Sequence, residues 1–396
     1  MKNIKRIISI LSALCFTVAL TSCGEDTPQG DETSTQNTEI SENEEITVLS
    51  LNKEYVSHYE WYEDYPKMLV RSEYTTVTLD ESMVKKYSAL AEVLSETSVM
   101  RKRTMEDEKD NLLFDATEEF MNDGEAFSTY VSTLDVKVRR ADSVAVSILE
   151  DYFSDFGRTF NGLNYDTESG KLLSLSDVVT DSSGLSEAVE KSFMARIGED
   201  EPFGETSVAD YFVNTPQEDL NWTLDCNGVT FYFSAGAVAP TNFGVQIVTV
   251  TFAEYPYLFS EKYTDAPEAY TVGLPLNLPF FTDITGDKKA DEITVLGDYD
   301  SEGGYYTSMA VYTEKSEYEE EWFSYGLDPY YVKTSDGNSY ICVYSLNSED
   351  ESRETVLSTF SLKNGGIEFL GTSEIGPVSK GNNVFALPAD PDKILL

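Results

Sequence analysis

Asp283-Ile-Thr-Gly-Asp287-Lys-Lys-Ala-Asp291-Glu292 sets oxygen-bearing side chains at alternate positions around a single glycine, Gly286. A short calcium loop needs side-chain oxygens at positions 1, 3 and 5, a backbone carbonyl at 7 and a further acid near 9. Counted from Asp283, these are Asp283, Thr285, Asp287, the carbonyl of Lys289 and Asp291. Three features depart from that scheme. Thr285 replaces a stronger ligand, Gly286 stands at position 4 with Lys288 at position 6, and position 12 is Thr294 rather than a carboxylate. Two readings therefore stand. One is a calcium (Ca2+) site of about 0.1–1 mM affinity, as in extracellular modules. The other is a tight turn on Gly286 with its acids facing water.

Other chemistry is scarce. His58 is the only histidine, and imidazole is the side chain on which neutral-pH acid–base and nucleophile chemistry most often leans. Ser-His-Asp and Cys-His systems are excluded unless His58 serves them. It lies in "YVSHYEWYEDYP", an aromatic strand-like stretch where a packed structural role is expected. A glycan hydrolase needs only two carboxylates at a set separation. None of the 71 acids stands out as such a pair. The expectation is a protein without catalysis of its own, and the alternatives are a carboxylate-based cell-wall glycan hydrolase or a structural, assembly lipoprotein.

Charge narrows the partners. The chain carries 28 Lys+Arg against 71 Asp+Glu, a net −43. Without the leader's Lys2, Lys5 and Arg6 the balance is 25 − 71 = −46. Such a surface repels phosphate backbones, so no nucleic acid is expected. It favours a cationic protein or divalent metal, and it also serves solubility.

The leader fixes the expected compartment. Lys2, Lys5 and Arg6 precede an apolar run from Ile7 to Leu20, too short to span a bilayer but long enough for a signal-peptide core. It closes on Leu20-Thr21-Ser22-Cys23-Gly24, which resembles the bacterial lipobox, where a diacylglycerol group and further acyl chains (palmitate among them) are placed on the cysteine. Residues 1–22 are thus read as a lipoprotein signal peptide and Cys23 as the lipidation site, anchoring an exported protein on the outer face of the cell membrane. Residues 23–45 hold eight acids, no basic residue and one aliphatic, Ile40, and are expected to form a disordered tether. Of the remaining cysteines, Cys226 and Cys342 are either an exported protein's disulfide or two buried thiols.

The elements that position these residues follow from periodicity. Alternation from Ile46 to Thr78 predicts strands. Met83, Tyr87, Leu90, Ala91 and Leu94 then recur at helical spacing behind Asp80 as N-cap. A second helix is predicted over 104–121, ending at Asn122-Asp123-Gly124. Its acidic surface is read as a solvated face and given no function. Period two returns from Thr133 to Ser154, with a break at Ala141-Asp142. A further strand follows, then a turn over Asp166–Gly170 and a helix over 183–197. Three strands come next, with Asn227-Gly228 as a hairpin turn. Strands and helices are mixed without regular alternation, so the fold class is α+β.

Tyr165-Asp166 closing on Gly170-Lys171, Ser176-Asp177-Val178, Asn227-Gly228 before Phe231-Tyr232-Phe233, and Ala239-Pro240 before Gly244 occur in an order that resembles the extracellular module of RsiV-type anti-sigma factors. The module is also found in some peptidoglycan deacetylases and in clostridial lipoproteins. "YEDYPKMLVRSE" resembles its beginning, and the likeness spans about Ile46–Tyr263. It implies an α+β ligand-binding module at 46–264, and lysozyme as the ligand class known from the anti-sigma factors. This sequence has no spanning helix or sigma-binding segment, and too few histidines for the deacetylase metal site. What the resemblance transfers is binding.

Residues 265–279, with Pro267, Pro275, Pro279 and Gly273, are expected to be a linker. Residues 280–396 read as a β-rich domain of short strands, propeller-like or a sandwich, with turns at Asp336-Gly337 and Asn364-Gly365-Gly366. The expected protein is a surface lipoprotein that binds lysozyme or peptidoglycan.

Overall fold

A computed structural model describes residues 45–396, except 64, 156, 198–206, 301–302, 347–354, 376–383 and 388–396. The signal peptide, Cys23 and nearly all of the tether lie outside the described residues. Glu45–Leu396 forms one compact unit. The fold is α+β with a β-rich C-terminal part. Among the described residues no helix is long and apolar enough to cross a membrane.

The first layer is a six-stranded sheet in the order β18-β1-β2-β3-β4-β5: Val384–Leu387, Leu51–Trp61, Met68–Leu79, Tyr130–Ala141, Ala145–Ser154 and Gly157–Asp166. All neighbours are antiparallel except β2 and β3. A parallel pair needs a crossover, and two helices supply it: α1 (Glu81–Val84), capped by Asp80, and α2 (Ser88–Asp123).

Helix α2 merges the first predicted helix with the second. The polar stretch between them interrupts the apolar period because it packs by hydrogen bonds instead. Ser98 Oγ donates to the Val77 carbonyl at 2.7 Å and accepts from its N–H at 3.2 Å. Arg101 Nε donates to Glu150 on β4. Leu90, Leu94, Met105, Leu112, Ala116 and Phe120 fill the rest of the inward stripe. The helix ends at Gly124, whose φ of +58° suits a residue without Cβ.

Helices α3 (Leu175–Val178), α4 (Ser182–Ile197) and α5 (Val208–Asn214) lead to a three-stranded sheet of β6 (Trp222–Leu224), β7 (Gly228–Phe233) and β8 (Gln246–Thr251). Its core gathers Leu185, Val189, Phe193, Trp222, Phe231 and Val248. After α6 (Glu261–Thr264) the chain builds two facing sheets. One orders β10-β11-β12-β13 (Pro279–Thr282, Asp291–Asp300, Tyr305–Thr313, Glu317–Ser324). The other orders β17-β16-β15-β14-β9 (Gly366–Ile375, Thr355–Lys363, Ser339–Leu346, Gly326–Lys333, Tyr270–Gly273). Val295, Val311, Tyr331, Ile341 and Phe360 share the core between them, the face-to-face packing of a sandwich.

The stretch expected to be a linker carries β9, which pairs with β14 from Tyr270↔Lys333 to Gly273↔Tyr330. Its prolines interrupt no ladder: Pro267 and Pro275 flank β9, and Pro279 opens β10. Two buried arginines hold the segment to β3. Arg139 donates to the Gly273 carbonyl (2.8 Å) and to Asp225 (2.9 Å), and Arg140 to the carbonyls of Tyr263 (2.7 Å) and Asp265 (2.9 Å). One hydrophobic core also joins Leu51, Val77 and Val136 to Tyr330, Val332 and Cys342. The residues expected to form two domains are therefore continuous in packing.

A buried ionic cluster lies at that junction. Asp328 on β14 accepts from Lys53 (2.7 Å) and Tyr330 (2.6 Å), and also from Tyr55, on one oxygen. Its other oxygen accepts from Lys137 at 2.7 Å. Lys53 and Lys137 side chains are 0% and 1% exposed. Burial alone pushes the Asp328 carboxyl up, but Lys137 and Lys53 reverse this and hold it well below the usual carboxylate range.

Candidate ligand-binding surface

At 36 residues, α2 is about 54 Å long, and its second half presents an unusual outward face. Leu112, Ala116 and Phe120 point into the sheet. Their neighbours Phe114 and Met121 point to solvent, 72% and 65% exposed. The i,i+4 rows Asp110-Phe114-Glu118 and Leu113-Thr117-Met121 bound a shallow groove, the kind of furrow into which the ridge of a second helix packs. Exposed acids rim it: Asp107, Asp110, Asp115, Glu118 and Glu119. Lys109, the only nearby cation, is bonded to Glu60 (2.9 Å) and Asp110 (2.8 Å). Among the described residues neither Asp115 nor Glu118 has an ion-pair partner. Burying a Phe or Met side chain is worth about 1.5–3 kcal/mol, so a large apolar side chain left outside on an acidic helix marks a contact surface.

The sequence reading passed over this face because the acids dominate it. A signal was present in "NLLFDATEEFM". One inward stripe needs Leu112, Ala116 and Phe120 only, leaving Leu113, Phe114 and Met121 in excess.

Asp283, Thr285, Asp287, Lys289 and Asp291 fall in the turn between β10 and β11. Asp283 accepts from the N–H groups of Gly286 and, at 2.8 Å, Lys288. Asp287 accepts from Lys289 N–H at 2.9 Å. One oxygen of Asp291 accepts from Ile284 N–H (2.9 Å), Thr285 N–H (2.9 Å) and Thr285 Oγ1 (3.0 Å). Gly286 and Lys288 take φ of +81° and +70°. The carboxylates thus brace the backbone of a tight turn. Among the described residues no three His, Cys, Asp or Glu side chains converge as a metal-holding group.

His58 faces α2 from β1, its ring 6.0 Å from that of Tyr74 and its Nε2 buried without a partner. Cys226 and Cys342 are both free and buried. Burial pushes the Cys342 thiol up to about 12 and the Cys226 thiol still higher. Asp225, beside Cys226, is also pushed up by burial, against the pull of Arg139 and two backbone N–H groups.

Helices and strands from α3 to β8 make a compact helix-and-sheet unit, and this is where known proteins are matched. A family described as "Protein of unknown function (DUF3298)" matches residues 176–253. Among solved structures, a DUF3298 family protein from Bacteroides fragilis is similar at 15% identity, with 55% of this chain and 96% of that chain covered and a TM-score of 0.41. Another, from Pseudomonas aeruginosa, is similar at 14% identity, covering 54% and 96%, with a TM-score of 0.35. No curated protein matches.

Proposed function

We propose that this is a non-catalytic binding module of a lipid-anchored, exported bacterial protein, and that it captures a cationic protein through the outer face of α2. The observation carrying this reading is the groove of Leu113, Phe114, Thr117 and Met121 inside a rim of unneutralised acids. Its shape suits the apolar ridge of an amphipathic helix, and its charge suits Lys and Arg flanking that ridge. The resemblance to RsiV-type modules makes a lysozyme-class protein the first partner to test. A net charge of −43 over the whole chain would speed such an encounter.

A role without catalysis is supported by the state of the acids. A general acid needs a carboxyl with a raised pKa that substrate can reach. The two carboxyls raised by burial are Glu108, which accepts a hydrogen bond from Tyr152, and Asp225, sealed against Arg139.

The test is calorimetric titration of lysozyme into the mature chain carrying Cys23→Ser, at about 50 and 150 mM salt, where screening lengths differ. A stoichiometric heat that weakens but survives at the higher salt is expected. Phe114→Ala with Met121→Ala should weaken it at least tenfold, as loss of a central apolar anchor does. Heat that vanishes at the higher salt, or that ignores the double substitution, would reduce the interaction to general charge attraction.

A further inference from the structure

A second surface, away from α2, has different chemistry. On β1 the odd-numbered residues Tyr55, Ser57, Tyr59 and Trp61 face away from the helix, opposite Thr75, Glu73 and Arg71 of β2. Tyr59 and Trp61 are 44% and 54% exposed. Glu73 is gripped from two sides: Tyr59 Oη donates to one oxygen at 3.2 Å, and Arg71 Nη2 to the other at 3.0 Å. The guanidinium of Arg71, a residue only 8% exposed, lies 5.3 Å over the ring of Tyr299. Its Nε is buried and unpartnered.

From Tyr299 an aromatic row crosses the four-stranded sheet. Tyr299 packs on Tyr306 at 5.0 Å, Tyr305 on Phe323 at 4.6 Å, and Phe323 on Tyr325 at 5.2 Å. Phe323 is 51% exposed. Gly304 allows the approach, because a Cβ there would stand 2.9 Å from Arg71 Nη1.

The local charge sets this seam apart. Lys53, Arg71 and Lys137 stand against Glu73, Asp135 and Asp328, so the seam is balanced within a strongly acidic chain. A cationic partner gains nothing here. A neutral ligand with apolar faces and hydroxyl edges does: rings such as Trp61, Tyr59 and Phe323 stack on the C–H face of a pyranose, while carboxylate, guanidinium and phenol groups pair with its hydroxyls.

We propose that the seam from Tyr59 and Trp61 to Phe323 is a binding site for a neutral pyranose chain of the kind found in wall glycan, separate from the cationic-protein face on α2. Such sites are shallow and weak, with dissociation constants on the order of 0.1–1 mM.

The mature chain with Cys23→Ser would be titrated with the β-1,4-linked tetramer of N-acetylglucosamine, and in parallel with the glucose tetramer, following tryptophan fluorescence and heat. Saturable binding, indifferent to salt between about 50 and 150 mM, is expected. Trp61→Ala should weaken it at least tenfold, and Glu73→Gln should weaken it while leaving the melting temperature within about 2 °C, since Glu73 is partly exposed. Preference for the first tetramer would assign the site to wall-type amino sugars. Equal binding of both would support a general pyranose platform. Absence of saturation with either up to about 5 mM, or binding unaltered by Trp61→Ala, overturns the proposal.

Discussion

Replacing Asp328 by Asn tests the argument about how the two halves of the molecule are held. The substitution preserves shape but removes the one charge that both Lys53 and Lys137 contact at 2.7 Å. The two ammonium groups have 0% and 1% of their side-chain surface exposed. Lys137 retains Asp135, and Lys53 retains only the Tyr330 hydroxyl. Leaving one partner of a buried pair unmatched costs about 3–5 kcal/mol. For a cooperative unit of roughly 350 residues the unfolding entropy is about 0.7 kcal/mol/K, so a cost near 4 kcal/mol lowers the melting temperature by about 5–6 °C. Differential scanning calorimetry and urea unfolding of Asp328→Asn measure this directly. Exchanging the whole cluster for apolar groups (Lys53→Met, Tyr55→Phe, Lys137→Met, Asp328→Leu, Tyr330→Phe) should restore most of the loss, because no charge or hydroxyl is then stranded. The pH dependence has a definite sign. Asp328 is depressed in the folded state from an ordinary value of 3.8, so its contribution is full above that value and is lost as pH falls through the folded value. The gap between wild type and Asp328→Asn should therefore persist at neutral pH and close only in strong acid. A gap under about 1 kcal/mol at pH 7 would mean that the lysines reach water, and the reasoning would fail.

Two further outcomes concern residues singled out by the sequence. Calcium added to about 5 mM should give no saturable heat, because Asp283, Asp287 and Asp291 already accept the turn's own N–H groups; a heat that Asp287→Ala abolishes would make residues 283–291 a calcium clamp. Iodoacetamide at pH 8 should leave Cys226 and Cys342 unmodified in the native protein and label both in denaturant, since burial raises both thiols far above that pH; a mass shift in the native state would place one of them at the surface.

Much of the local structure was legible because its signals are local. The β3–β4 break after Ala141, the Asp225–Gly228 hairpin and the end of α2 at Gly124 each follow from a turn residue with a specific backbone task. What escaped was non-local. Ser98 and Arg101 look like surface residues in a helical window, yet they face inward because Val77 and Glu150 offer them hydrogen bonds from the sheet. The proline-spaced stretch 265–279 reads as a linker because composition cannot reveal that Lys333 to Tyr330 will pair with β9. The acidic loop reads equally as clamp or turn, since both demand the same carboxylates around a glycine. The seam from Trp61 to Phe323 joins residues more than 200 positions apart, and no periodicity encodes that.

The charge of the chain and its architecture are linked through the few cations it owns. Lys53, Arg71, Arg101, Lys137, Arg139 and Arg140 are all buried, drawn inside by Asp328, Glu73, Glu150, Asp225 and Asp142 to join sheet to sheet. Each cation spent internally is one fewer available to neutralise the outside. The surface is consequently more one-sided than composition alone implies, and rims such as that of α2 keep their acids unpaired. Ionic contacts in the interior are screened far less than those at the surface. Raising salt should then leave the junction between the halves nearly unchanged while sharply weakening any cationic partner on α2. The seam, balanced in charge, should respond to neither.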